Sequence, residues 1–180
     1  MHSHLPDIEL WMSAMQGNKD AFGILFHRHY SFLYQFGLKI CADVPTLEDA
    51  IQELFTELWQ KKQGSEVASV RAYLVQGLKY KLYKAYRTKM QQNKITKADE
   101  LFELSPDTFL IKREEDAERT KKILDTLNAL PPRQKEIIYL KIYKELSYEE
   151  ISVAMNLNYQ VVRNLLCQAL KTFRKMNTFQ

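Results

Sequence analysis

The sequence predicts an all-α fold of two small helical modules joined by a flexible linker, the second module closing in a helix-turn-helix. Three observations predict it. Five Gly and five Pro in 180 residues are too few for the frequent turns of an all-β chain. Apolar residues recur at three- and four-residue spacing on both sides of a polar stretch at 91–112, where the periodicity stops. A short helix, a tight turn and a longer amphipathic helix with a basic end can be traced from Ser147 to Phe173. The boundaries that follow are a first module over 1–90, a linker over 91–112 and a second module over 113–180.

In the first module, a two-turn helix starts near Pro6 or Asp7 and runs to Gly17. Asn18 caps a second helix reaching about Cys41, whose Phe22, Leu25, Phe26, Tyr30, Leu33, Phe36 and Ile40 share one face. Asp43-Val44-Pro45 reads as a break. Thr46 reads as the cap of a third helix, with Asp49 three residues on and Leu47, Ile51, Leu54 and Leu58 as its stripe. The fourth helix begins after Ser69 and runs to about Met90, with Val70, Leu74, Gly77, Leu78, Leu82 and Ala85 inward. Its opposite face carries Tyr73, Gln76, Tyr80, Tyr83, Lys84 and Arg87, an aromatic and basic combination unusual for plain solvent exposure.

Short ordered pieces are expected within the linker around Leu101 to Leu104 and Phe109 to Ile111. Helix five then runs from near Arg113 to Leu130 through Ile123, Leu124 and Leu127, and Pro131-Pro132 stops it. Pro132 opens helix six at its first position. That helix carries Ile137, Ile138, Tyr139, Leu140 and Ile142 and ends by Glu145. Ser147 and Glu150 form a capping box on helix seven. Asn156 takes the left-handed conformation that ends it, and Asn158 caps helix eight. Val162, Leu165, Leu166, Ala169, Leu170 and Phe173 are the buried side of helix eight.

Charge is distributed in blocks. Residues 1–66 hold 5 basic and 9 acidic side chains, 67–98 hold 8 basic and none acidic, 99–120 hold 3 and 8, and 121–180 hold 10 and 5. Two basic blocks separated by an acidic one point to two polyanion-facing surfaces. Neither GxGxxG nor GxxxxGK occurs, so no Gly-rich phosphate loop is present. Cys41 and Cys167 lie far apart without metal-ligand spacing, which fits a reduced, cytoplasmic protein with an inert thiol at Cys167. His27 and His29 point to different helix faces and make no ready metal pair. No apolar run is long enough to span a bilayer, and MHSHLPDIELW lacks the basic start of a signal peptide. No catalytic constellation can be argued, so the expectation is a protein without enzymatic activity, cofactor or metal.

Four stretches, in order, resemble the extracytoplasmic-function branch of the bacterial sigma-70 family. GNKDAFGILFHRHYSFLYQFGLKI resembles its opening region, and LEDAIQELFTELW its polymerase-docking helix. SVRAYLVQGLKYKLYKAYR is similar to its promoter-melting helix. The stretch from LNALPPRQ through SYEEI to ALKTFRK resembles its C-terminal DNA-binding region. The resemblance implies an alternative sigma factor that binds core RNA polymerase and promoter DNA, both as upstream duplex and as melted single strand. An anti-sigma factor would be a possible further partner, and no membrane insertion is implied.

The resemblance also implies roles for individual residues. Asp49, Gln52, Glu53, Phe55 and Trp59 match the polymerase-contact positions, and the first three are neighbours on one helix surface. Lys79, Tyr80, Tyr83, Lys84, Tyr86 and Arg87 would capture the melted strand, rings stacking on bases while cations such as these and Lys81 follow the backbone. Tyr159, Gln160, Arg163 and Asn164 would reach base edges in the major groove, with Lys171 and Arg174 on phosphates. This chain departs from many relatives at Lys79-Tyr80, where they carry Arg-Asn, and at Leu165 to Gln168, where two cations are missing. Those departures keep in view a degenerate sigma-like adaptor that binds proteins only. A helix-turn-helix regulator that works without polymerase is the other alternative, disfavoured because the sequence offers no dedicated dimer helix.

Overall fold

A computed structural model describes residues 5–61, 67–90, 102–105 and 114–178. The described residues are helical apart from turns and short extended pieces, and contain no strand. The chain divides into two compact units, Met1–Lys94 with Val153–Met155, and Ile95–Ser152 with Asn156–Gln180.

The first unit contains α1 (Asp7–Met15), α2 (Lys19–Gly37), α3 (Val44–Lys61) and α4 (Val70–Met90). The Asn18 side chain accepts from the backbone N–H groups of Asp20 and Ala21, at 3.0 and 3.1 Å, and so starts α2 as expected. The α-helix ends at Gly37, short of Cys41, and the chain leaves it through successive turns. The largest revision is at α3. The expected break at Val44-Pro45 is already helix, because proline's fixed φ and missing N–H suit a first turn whose donors are free anyway. Thr46 therefore lies inside the first turn rather than capping it, and its hydroxyl donates to the Asp43 carboxylate. Ser69 Oγ accepts from the Ala72 N–H at 3.3 Å, and α4 starts at Val70.

These helices share a core of Leu10, Leu25, Leu33, Phe36, Leu47, Ile51, Leu74, Leu78 and Leu82, all fully or nearly fully buried. Each such side chain contributes about 1.5–3 kcal/mol of transfer free energy. Gly77 brings α4 close to α3: a Cβ there would stand 2.7 Å from Leu54 Cδ1. That spacing fixes where the outer faces of α3 and α4 lie relative to each other.

The remaining elements are α5 (Glu114–Asn128), α6 (Pro132–Ile138), a π-helical turn (Tyr139–Tyr143), α7 (Tyr148–Met155) and α8 (Tyr159–Thr178). Pro131 precedes α6 and Pro132 opens it. Helix six is shorter than expected. After Ile138 the ladder widens, the Lys144 N–H reaching the Tyr139 carbonyl at 3.1 Å, and Glu145 takes φ 55. Ile142 consequently points outward and is 53% exposed, whereas Tyr139, Leu140 and Leu146 are buried. The capping box forms in both directions. The Ser147 N–H donates to Glu150 Oε2 at 2.8 Å and the Glu150 N–H to Ser147 Oγ at 3.1 Å. Asn156 has φ 51, with the Leu157 N–H bonded to the Ser152 carbonyl at 2.9 Å. Asn158 Oδ1 accepts from the Val161 N–H at 2.8 Å and starts α8, whose Val162, Leu166 and Ala169 face the core.

Candidate functional site

Three surfaces carry the candidate residues, and the first is the outer face of α3. Asp49, Gln52 and Glu53 are exposed there, one helical turn apart. With Thr56, Glu57 and Gln60 they line an open depression of about 400 Å³. Phe55 lies on the other side of the helix. It is 4% exposed and stands edge-on to Phe22 and Phe26, with ring centroids 5.9 and 4.9 Å apart. Trp59 is half-buried against Phe22 at 5.0 Å. In this conformation the acidic and amide side chains form the accessible face, and the two rings support it from behind.

Two residues of this face had no place in the expected docking set: Glu57, which the sequence did not single out, and Lys81, which was expected among the cations facing the melted strand. The Lys81 side chain is 6% exposed, and its Nζ lies 3.2 Å from Glu53 and 2.7 Å from Glu57. Burial alone would lower the Lys81 pKa. Hydrogen bonds and charges from Glu57 and Glu53 together outweigh burial and raise it above the ordinary lysine value. Lys81 is thus not among the solvent-facing cations of α4, as the basic run had suggested. The periodicity did contain the signal, since Lys81 follows Leu78 by three residues and Leu74 by seven, on the buried stripe.

The second surface is the outer face of α4. Tyr80 is 70% exposed, and Lys84 and Arg87 are exposed beside it. Lys79 and Tyr83 are half-buried. Tyr73 is engaged with buried Trp11, ring centroids 5.2 Å apart. Tyr86 is tied inward: its hydroxyl donates to the Ile40 carbonyl at 3.2 Å. Burial, with Cys41 and Asp43 nearby, pushes its pKa up to about 12. The freely presented ring is Tyr80, flanked by cations that suit a phosphodiester backbone.

The third surface is the first half of α8. Tyr159, Gln160, Arg163 and Asn164 are all exposed in its first two turns. Gln160 Nε2 donates to Asn164 Oδ1 at 3.1 Å, and the Arg163 guanidinium lies 6.0 Å from the Tyr159 ring centroid. Tyr159 also meets Tyr148 edge-on at 5.8 Å. These contacts hold together a polar face on the first turns of α8. Lys171, Arg174 and Lys175 are exposed farther along. Cys167 is exposed and Cys41 buried. Among the described residues no cluster of His, Cys, Asp and Glu could hold a metal, and no helix is long and apolar enough to cross a membrane.

The model of sigma-70 region 2 matches residues 25–91, and that of sigma-70 region 4 matches residues 120–173. Together the two matches cover about two thirds of the chain, in the order in which the acidic, aromatic-basic and helix-turn-helix surfaces occur. The chain is 23% identical over 176 residues to the ECF RNA polymerase sigma factor BldN of Streptomyces coelicolor, covering 94% of this chain and 65% of BldN, somewhat under two thirds of that relative's length. Among solved structures, the fold matches CnrH, solved in complex with the cytosolic domain of CnrY, with TM-score 0.63 and 21% identity over 97% of this chain and 98% of that one. It also matches the sigma factor RpoE of Bartonella quintana, solved with the anti-sigma factor NepR, with TM-score 0.63 and 17% identity over 89% of this chain and 98% of that one.

Proposed function

Because the chain belongs to the sigma-70 family, with region 2 across residues 25–91 and region 4 across residues 120–173, we propose that it is an alternative sigma factor of the extracytoplasmic-function type, which binds core RNA polymerase and directs it to promoters. The observation that carries the reading is the pairing of two unlike surfaces on one unit. An acidic, amide-bearing helix face suits a protein partner that presents arginines. The adjoining α4 face, with Tyr80 among Lys84 and Arg87, suits unstacked bases and their phosphates.

In this mechanism Asp49, Gln52, Glu53 and Glu57 fasten the first unit to polymerase. Phe55 and Trp59 hold α3 in place from its inner side. Tyr80, with Lys79, Tyr83, Lys84 and Arg87 around it, then receives the melted strand. Tyr86 shapes this surface through its ring while its hydroxyl holds Ile40. The α8 residues Tyr159, Gln160, Arg163 and Asn164 read upstream duplex, and Lys171 and Arg174 add salt-dependent phosphate contacts. The protein performs no chemistry of its own and works in the cytoplasm, where polymerase catalyses synthesis. An anti-sigma factor that covered the acidic face or α8 would silence it.

The test is reconstitution. Purified protein is added to core polymerase on a library of promoter fragments, and new transcription starts are mapped. Sequence-dependent starts that need both components are expected. DNA binding at an operator without polymerase would favour an autonomous regulator, and polymerase binding without starts would favour an adaptor.

A further inference from the structure

Residues 102–105 lie within the stretch that composition reads as linker, yet Phe102 and Leu104 are only 3% and 4% exposed. Glu103 between them is exposed, giving the in-out alternation of an extended strand. The Phe102 ring stands edge-on to Tyr139, centroids 5.6 Å apart. Asn128, the last residue of α5, clasps the Leu104 backbone from both sides. The Leu104 N–H donates to Asn128 Oδ1 at 3.0 Å, and Asn128 Nδ2 donates to the Leu104 carbonyl at 2.8 Å. One side-chain amide therefore supplies the donor and acceptor that a neighbouring strand would supply. Lys135, itself 6% exposed, donates to the Asn128 backbone carbonyl at 3.4 Å, beside the Glu103 charge. A connection serving only as slack has no use for two buried anchors and a matched amide clasp.

We infer that the Asn128 clasp on Phe102–Leu104 sets the working length of the tether between the two units and, on the sigma-factor reading above, limits the separation of promoter elements that the protein accepts. With the clasp closed, 11 residues (91–101) separate α4 from the anchored strap; with it open, 23 residues (91–113) separate α4 from α5. Fully extended, those lengths reach about 40 and about 80 Å. Asn128 is thus a positioning residue that touches no DNA.

Spin labels on exposed Cys167 and on a Lys19→Cys thiol, with Cys41 too buried to react, report the distance distribution in the free full-length chain. Two variants open the clasp: Phe102→Ser/Leu104→Ser, and the milder Asn128→Ala, which keeps the question answerable should the first fold poorly. Both should shift the distribution toward longer distances. In holoenzyme, both should initiate across a wider range of element spacings than the unmodified protein. Unchanged distributions and spacing profiles in the variants would overturn the inference. Failure of the unmodified protein to initiate at any spacing would overturn the sigma-factor reading instead, and the spin-label distances would still decide the tether.

Discussion

Replacing Lys81 by Met separates the electrostatic from the packing role of the residue that ties α3 to α4. The substitution deletes two ion pairs, at 3.2 Å to Glu53 and 2.7 Å to Glu57. Both carboxylates are about half exposed, at 56% and 45%, so water screens each pair toward the exposed range of ~0–1 kcal/mol. Glu53 and Glu57, one turn apart and no longer bridged, then repel by about 0.2–0.5 kcal/mol. Methionine fills much the same volume and spares the desolvated ammonium, which offsets part of the loss. The expected net cost is about 1 kcal/mol. Lys81→Glu places a third carboxylate in the buried position and should cost about 3–5 kcal/mol. Both tryptophans, Trp11 and Trp59, belong to the first unit, so urea unfolding followed by their fluorescence reads that unit alone. Because the folded-state Lys81 pKa is raised, its contribution is intact below 10.5 and is lost as pH climbs through the folded value. Lys81→Met should lack that alkaline loss. A cost above about 3 kcal/mol for Met, or a harmless Glu, would refute the reasoning.

Four further outcomes follow from individual groups. Tyr80→Ala should leave stability unchanged while weakening single-strand binding by the holoenzyme by ~1–3 kcal/mol. Tyr86→Phe, which loses the bond to Ile40, should cost about 1 kcal/mol of stability with little effect on DNA; fluorescence anisotropy on single-stranded oligonucleotides and urea titration distinguish the two. Burial lowers the His29 pKa against the opposing pull of Asp7, so the stability that neutral His29 provides is present above 6.5 and lost as pH falls through the folded value. The first unit of His29→Asn should lack this acid-side loss in fluorescence-monitored unfolding. Glu145→Gly should stabilise the second unit by about 1 kcal/mol, because Glu145 holds a φ of 55 that glycine adopts freely; thermal circular dichroism measures it.

The residues that punctuate the chain were the most legible. Asn18, Ser69, Pro132, Ser147 with Glu150, Asn156 and Asn158 each act through their own local chemistry, and each sits where that chemistry predicts. Val44-Pro45 misled because proline is equally at home in a turn and in a helix's first turn; tertiary packing of Leu47 decides between them. Lys81 misled because a lysine in a basic run reads as solvent-facing until its partners on another helix are known. The strap at Phe102–Leu104 was legible as a short ordered piece, but Asn128 lies 24 residues away, beyond any local pattern. That Asp49, Gln52 and Glu53 on α3, the candidate residues on α8, and Tyr80, Lys84 and Arg87 on α4 face outward was legible through helical spacing; the roles assigned to them came from the family resemblance. Which of the α4 tyrosines turn inward depends on Ile40 and Trp11, contacts that no periodicity encodes.

On the proposed function, the acidic face of α3 fastens this protein to core polymerase. Asp49→Arg tests it most directly, because Asp49 is exposed and lies outside the Lys81 bridge. Titrating core polymerase with labelled protein should show affinity falling at least about tenfold, the equivalent of one charge-assisted contact near 1.4 kcal/mol, with the fluorescence-monitored unfolding curve unchanged. An Asp49→Arg protein that binds core polymerase as tightly as the unmodified chain would contradict the account.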